Sequence, residues 1–273
     1  MSIKETTEQL ICVLEDDDNK VIALTGKWGT GKSHLWNNLQ QASEDDSINK
    51  ALYVSLFGLS EMNQIKLKIV QSALPEVGER SVTWEKVRIA CEGAKKVLNS
   101  LHNGFSALDE LALLAVPTIL KDKMIVLDDI ERMHEKLSID EVLGFIDEYT
   151  QQFGARFVLI LNSDQLANLE MWSTLSEKVI DEEIRLDTTS MESFDIAIVA
   201  KPSVYAEHIR KAVGTLGITN IRIICKVIKV VNRLLGNRES LSNAILSRVI
   251  PSTVLLTAIN YKGIDDGPDI NFV

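Results

Sequence analysis

Lys20-Val21-Ile22-Ala23-Leu24-Thr25-Gly26-Lys27-Trp28-Gly29-Thr30-Gly31-Lys32-Ser33 is the stretch on which the fold turns. Gly26 to Ser33 fit Gly-x-x-x-x-Gly-Lys-Ser/Thr, the phosphate-binding P-loop. Lys20 to Thr25 read as a buried strand, and His34 to Leu39 continue as a helix. A strand, a glycine loop and a helix start together aim backbone N–H groups and a positive dipole end at phosphate. Gly26, Gly29 and Gly31 allow backbone angles and a close approach that a β-carbon would obstruct. Lys32 is expected to reach the β- and γ-phosphates, and the Ser33 hydroxyl to ligate Mg2+.

Working outward, strands and helices alternate. Ala51–Leu56, Met124–Leu127, Arg156–Leu161 and Glu183–Leu186 read as strands, several of them apolar throughout. Such runs belong to a parallel sheet covered on both faces, so the fold class is α/β with a three-layer αβα core. Helical patterns occupy Thr6–Glu15, Trp84–Leu101, Ser106–Leu120, Ser138–Gln152, Asp164–Met171 and Ser173–Val179. After Thr189 no strand is evident. Helices near Met191–Ala200, Pro202–Leu216, Asn220–Leu235 and Ser240–Tyr261 predict an all-helical C-terminal lid. The expected division is a core over 1–188, with a helical insertion at about 82–121, and a lid over 189–273.

Composition bounds the class. Apolar content of 45% and charged content of 25% are those of a soluble globular chain. Cys12, Cys91 and Cys225 are far apart and form no CxxC pair, which points to a reduced cytoplasmic setting. The first residues lack the apolar core of a signal peptide. The longest apolar run, Leu111–Leu120, contains Pro117 and is about half a membrane span, so no span is expected. Net charge is −10, against bulk nucleic-acid binding, yet Ile196–Arg238 holds eight Lys/Arg against one acid. A basic lid on an acidic core predicts complementary fields.

A P-loop needs an acid on a nearby strand to hold the metal through water. Asp128, straight after four apolar residues, has that placement, and Asp129 is the candidate to orient the attacking water. Glu131 could share that role. Asn162 ends a strand on the edge where parallel sheets hold ligands. Its amide suits contact with the γ-phosphate or the water, and equally suits a helix N-cap.

The P-loop, then Tyr53-Val54-Ser55-Leu56-Phe57-Gly58-Leu59, then Val126-Leu127-Asp128-Asp129-Ile130-Glu131-Arg132 resemble the KAP family of P-loop NTPases, within the STAND/AAA+ group of the ASCE division. Trp28 and the acid-acid-apolar-acid-Arg signature are the specific parts. Leu175–Ile180 is similar to the family's Leu-Glu-Lys-Ile-Ile segment, and Asn220-Ile221-Arg222 to its Asn-Pro-Arg lid start, with Ile221 in place of proline. The resemblance implies ATP hydrolysis coupled to conformational change, often in membrane-associated complexes or phage-exclusion systems. It also supplies adenine as the base. Many members insert membrane helices between the nucleotide motifs, whereas Trp84–Leu120 cannot span a bilayer. The expected nucleotide-holding set is Gly26, Trp28, Gly29, Thr30, Gly31, Lys32, Ser33 and His34, with Ser33 and Asp128 on the metal.

This class usually sets a cation near the γ-phosphate. Arg222 is the candidate from the same chain; Arg132 and Lys178 are candidates from a neighbouring subunit. Arg222, Lys226, Lys229 and Arg233 make one helical stripe. It could be a solvated face, could meet acids such as Asp140, Glu141, Asp147 and Glu148 of a second copy, or could contact nucleic-acid phosphates. The leading expectation is a Mg2+-dependent ATPase that moves lid against core and assembles with itself. The alternative is a slowly hydrolysing switch or scaffold that recruits a partner protein or DNA. A kinase is a weaker expectation, because the acid pair and lid arginine suit attack by water.

Overall fold

Five segments pair as a parallel sheet in the order Leu52–Ser55 (β2), Met124–Asp128 (β3), Arg156–Ile160 (β4), Val21–Gly26 (β1) and Glu182–Leu186 (β5). In the computed structural model, the residues described are 1–73, 106–162, 177–236 and 241–261. The helices expected over Trp84–Leu101 and Asp164–Met171, most of Ser173–Val179, and the turn expected near Asp265–Asn271 lie outside them.

The elements, in chain order, are α1 (Ile3–Glu15), β1 (Val21–Gly26), α2 (Lys32–Ala42), α3 (Asp46–Asn49), β2 (Leu52–Ser55), α4 (Met62–Ala73) and α5 (Ser106–Leu120). There follow β3 (Met124–Asp128), a 3-10 turn (Ile130–Arg132), α6 (Ile139–Phe153), β4 (Arg156–Ile160) and β5 (Glu182–Leu186). The helices α7 (Ser190–Ala200), α8 (Ala206–Leu216), α9 (Ile221–Leu235) and α10 (Asn243–Asn260) complete the described chain.

By packing, the chain divides into two compact units. One comprises Thr7–Thr25 and Trp36–Ile184 and contains most of the sheet. Its strands run parallel in a register that sets Val21 against Phe157, Ile125 against Phe157, and Ser55 against Asp128. β1 and β3 are buried along their whole length, which is why their sequences are continuous apolar runs rather than alternating ones. Phe157, Ile125, Leu56, Ile65, Ile69 and Ile146 fill the core. Burial of each is worth roughly 1.5–3 kcal/mol over exposure. Helix α6 opens on a capping box, Ser138 with Glu141, and stops at Gly154, whose φ of 65° is left-handed.

The other unit comprises Met1–Thr6, Gly26–Leu35 and Arg185–Val273. Its core is helical: α9 contributes Ile223, Ile224, Val227, Ile228, Val231 and Leu235, packed with Phe194, Ile209 and Val254. Asn220 caps α9, its side chain accepting the Ile223 N–H, and Gly236 follows the last turn. Helix α8 begins at Ala206, not at Pro202 as the periodicity predicts. The intervening residues find other partners: Ser203 Oγ accepts the Tyr205 N–H at 3.1 Å, and Asn232 Nδ2 donates to Pro202 O at 2.9 Å. Among the described residues, no helix is long and apolar enough to cross a membrane.

Candidate functional site

The phosphate-loop group lies in the second unit. The chain enters Gly26 from buried β1 and leaves through α2, which starts at Lys32. Gly29 at φ 83° and Gly31 at φ 95° take conformations that a β-carbon strains. Thr30 is buried and its hydroxyl donates to Lys27 O at 2.9 Å, closing the loop on itself. The Lys32 ammonium donates to Gly26 O at 2.8 Å and Lys27 O at 2.9 Å. Trp28 is 43% exposed, and the Arg222 guanidinium stands over its ring, 5.2 Å from the centroid.

The acid group lies in the first unit, at the C-terminal ends of β3 and β4. Asp128 is only 5% exposed; its carboxylate accepts from the Tyr53 hydroxyl and, at 2.7 Å, from the Asp129 N–H. Asp129 turns the chain in the left-handed region, φ 59° and ψ 37°, a conformation that Asp tolerates better than most residues. One of its carboxylate oxygens accepts from Ser55 Oγ at 2.8 Å; the other faces Arg132 at 3.3 Å. The Arg132 guanidinium also covers the Phe57 ring, 3.9 Å from the centroid. Glu131 reaches across to β4, where it accepts the Asn162 N–H at 3.1 Å. Asn162 is 1% exposed, and its buried Oδ1 has no hydrogen-bond partner among the described residues. A buried amide oxygen left this way is costly unless a ligand or water completes it.

Comparison with known families matches residues 2–194 to the KAP family P-loop domain. The chain belongs to the KAP family. Membership of a P-loop NTPase family supports nucleotide binding and hydrolysis as its chemistry. Among solved structures, domain III of the Thermotoga maritima replication initiation protein DnaA is similar over 90% of this chain and 89% of that one, at 12% identity and a TM-score of 0.47. Drosophila ORC bound to DNA is similar over 92% of this chain and 58% of that one, at 12% identity and a TM-score of 0.37. Neither likeness bears on function at that level. No match emerges among curated proteins.

Within this KAP chain the acid group collects Asp128, Asp129, Glu131, Arg132 and Asn162, and the loop group collects Gly26–His34 with Arg222. Lys178 is exposed. Three residues were not singled out individually from sequence: Tyr53 and Ser55, which hold the two aspartates, and Phe57, which carries Arg132. For Tyr53 and Ser55 the signal is the alternation in β2, where Leu52 and Val54 are buried and Tyr53 and Ser55 half-buried on the opposite face. Each group taken by itself offers a hard-oxygen donor: the acid group the Asp128 carboxylate, at a buried strand end, and the loop group the Ser33 hydroxyl, in the first turn of α2. Oxygen donors of this kind suit Mg2+.

Proposed function

We propose that this KAP chain is a Mg2+-dependent ATPase, in which nucleotide state moves a helical lid over residues 189–273 against a core over residues 1–188. The observation that carries the reading is the loop itself. A buried strand opens into two left-handed glycines, and a lysine and a serine start the following helix. In this role Lys32 binds the β- and γ-phosphates, with Gly26, Trp28, Gly29, Thr30, Gly31 and His34 completing the cradle. Ser33 and Asp128 would hold the ion. Bound there, Mg2+ supplies charge neutralisation to the phosphates. Asp129 polarises the attacking water, with Glu131 as the nearest substitute, and Asn162 Oδ1 accepts from that water. Arg222 stabilises charge on the γ-phosphate from within the chain. Arg132 and Lys178 are the candidates from a second copy. Self-assembly pairs the exposed stripe of Lys226, Lys229 and Arg233 with exposed Asp140, Glu141, Asp147 and Glu148.

Two variants separate the steps. Lys32→Ala should lose ATP binding, whereas Asp129→Asn should bind ATP without releasing phosphate. Normal phosphate release from purified Asp129→Asn protein would overturn the role given to that residue. A second reading, a slowly hydrolysing switch that recruits a partner protein or DNA, draws on one observation. Both carboxylate oxygens of Asp129 already have partners, Ser55 and Arg132. Phosphate release that stays near background until a partner or DNA is added would favour it.

A further inference from the structure

The first turn of α9 is fastened to the phosphate loop by its backbone and by one side chain. The Ile221 N–H donates to Gly29 O at 2.9 Å. Asn220 Nδ2 donates to Trp28 O at 3.0 Å, while its Oδ1 accepts the Ile223 N–H at 3.2 Å. A single carboxamide therefore gives its donor to the loop and its acceptor to the helix. The fit is close. A β-carbon at Gly29 would lie 2.3–2.4 Å from the carboxamide atoms of Asn220, and one at Gly31 would lie 2.8 Å from Ile221 Cδ1. Two residues beyond Asn220, Arg222 stands over Trp28, the residue whose carbonyl Asn220 holds.

We propose that Asn220 is a positioning residue that ties the first turn of α9 to Trp28 O and so sets where Arg222 stands relative to the loop's phosphates. The inference rests on the reading of Gly26–Ser33 as the nucleotide loop. The cap alone fixes where the helix starts, not what it starts against. The cation–π contact alone lies over a well-exposed ring, where such contacts are weak and tolerant of position. The carboxamide is directional at both ends, and it supplies the register that those two contacts lack. Arg222 on the γ-phosphate discriminates triphosphate from diphosphate, so losing this register should erode that preference before it erodes nucleotide binding as such.

The test compares ATP and ADP affinities, by displacement of a fluorescent nucleotide, in the whole chain and in Lys32→Ala, Asn220→Ser, Asn220→Ala and Arg222→Ala. Serine caps a helix about as well as asparagine but is too short to hold Trp28 O at the same time. Asn220→Ser should keep the wild-type Tm and ADP affinity and lose ATP-over-ADP preference by about tenfold or more, the scale of one hydrogen bond involving a charged group. Arg222→Ala should show the same loss. The double variant should be no worse than either single one, because the two act as a unit. Asn220→Ala should add a fall in Tm from the lost cap. Wild-type preference in Asn220→Ser, or a loss that appears only together with a fall in Tm, overturns the positioning role. If wild type and Lys32→Ala bind nucleotide equally, the loop reading is overturned and this one with it. A normal Lys32→Ala defect beside an unaffected Asn220→Ser removes this inference alone.

Discussion

Ser55→Ala deletes one hydroxyl from the end of β2 and leaves the strand's pairing with β3 intact. The lost contact is the 2.8 Å donation to Asp129, the shorter of the two interactions that hold that carboxylate. A hydrogen bond to an ionised carboxylate is worth about 1.5–3 kcal/mol. The Asp129 side chain is 26% exposed, and that calls for the low end of the range. Arg132 remains, but a half-exposed pair three residues apart contributes only about 0–1 kcal/mol. Against it stands the left-handed backbone at Asp129, which costs roughly 1 kcal/mol and favours relaxation once the tether is gone. A net loss of about 1.4 kcal/mol lowers the correctly placed population about tenfold. In steady-state phosphate release at saturating Mg2+ and ATP, kcat should therefore fall about tenfold, with KM for ATP within about twofold. Ser55→Thr, which keeps the hydroxyl, should recover most of the rate. Thermal unfolding should shift by less than about 4 °C, since the site lies outside the packed core. A kcat within about twofold of wild type, in a protein where Asp129→Asn abolishes turnover, would refute the claim that Ser55 places Asp129.

Two more expectations reach other parts of the molecule. Burial is the largest single influence on the Glu192 carboxyl and works to raise its pKa. Hydrogen bonds from Thr189 N–H and Oγ and from Ile3 N–H outweigh it and hold the group below the usual glutamate range. A depressed folded value contributes stability above the unfolded pKa that is lost as pH falls through the folded one. The urea midpoint of wild type should therefore exceed that of Glu192→Gln near about pH 7 and converge on it toward about pH 3; a pH-independent gap would contradict this. Assembly through the basic stripe should weaken from about 0.1 M to about 1 M salt, as the screening length shrinks from about 10 Å to about 3 Å. Reversing Lys226, Lys229 and Arg233 to Glu should leave a monomer by light scattering, and an unchanged oligomer would rule that interface out.

The chemistry-bearing loop could be read from the chain because everything it needs is local: strand, glycines, lysine, serine and helix are contiguous in sequence. The same holds for β3 and for α9, whose apolar stripe from Ile224 to Leu235 is the face that packs. Strand order was not legible, since β1 pairs with β4 across more than a hundred intervening residues and periodicity carries no pairing information. Ser55 illustrates the loss at the site. Its hydroxyl matters only because parallel register sets it opposite Asp128, next to Asp129 in the chain. The premature start predicted for α8 has the same origin. Asn232, thirty positions from Pro202, takes the carbonyl that local pattern would have placed in the helix. Asn162 is readable as a polar strand end, but the burial of its amide oxygen without a partner among the described residues emerges only from the packing around it.

The attachment of α9 at its first turn has a mechanical side. Its 15 residues make a rod about 22 Å long, held to the loop at one end. A rotation of about 10° about that fixed end would carry the Leu235 end through about 4 Å while the Arg222 backbone shifts by well under an ångström. Because α9 shares its apolar face with α7, α8 and α10, the swing would take the whole helical group with it. The glycine loop would then act as the short arm of a lever, and the loss of one phosphate there would be felt as a displacement several times larger at the far end of the helices.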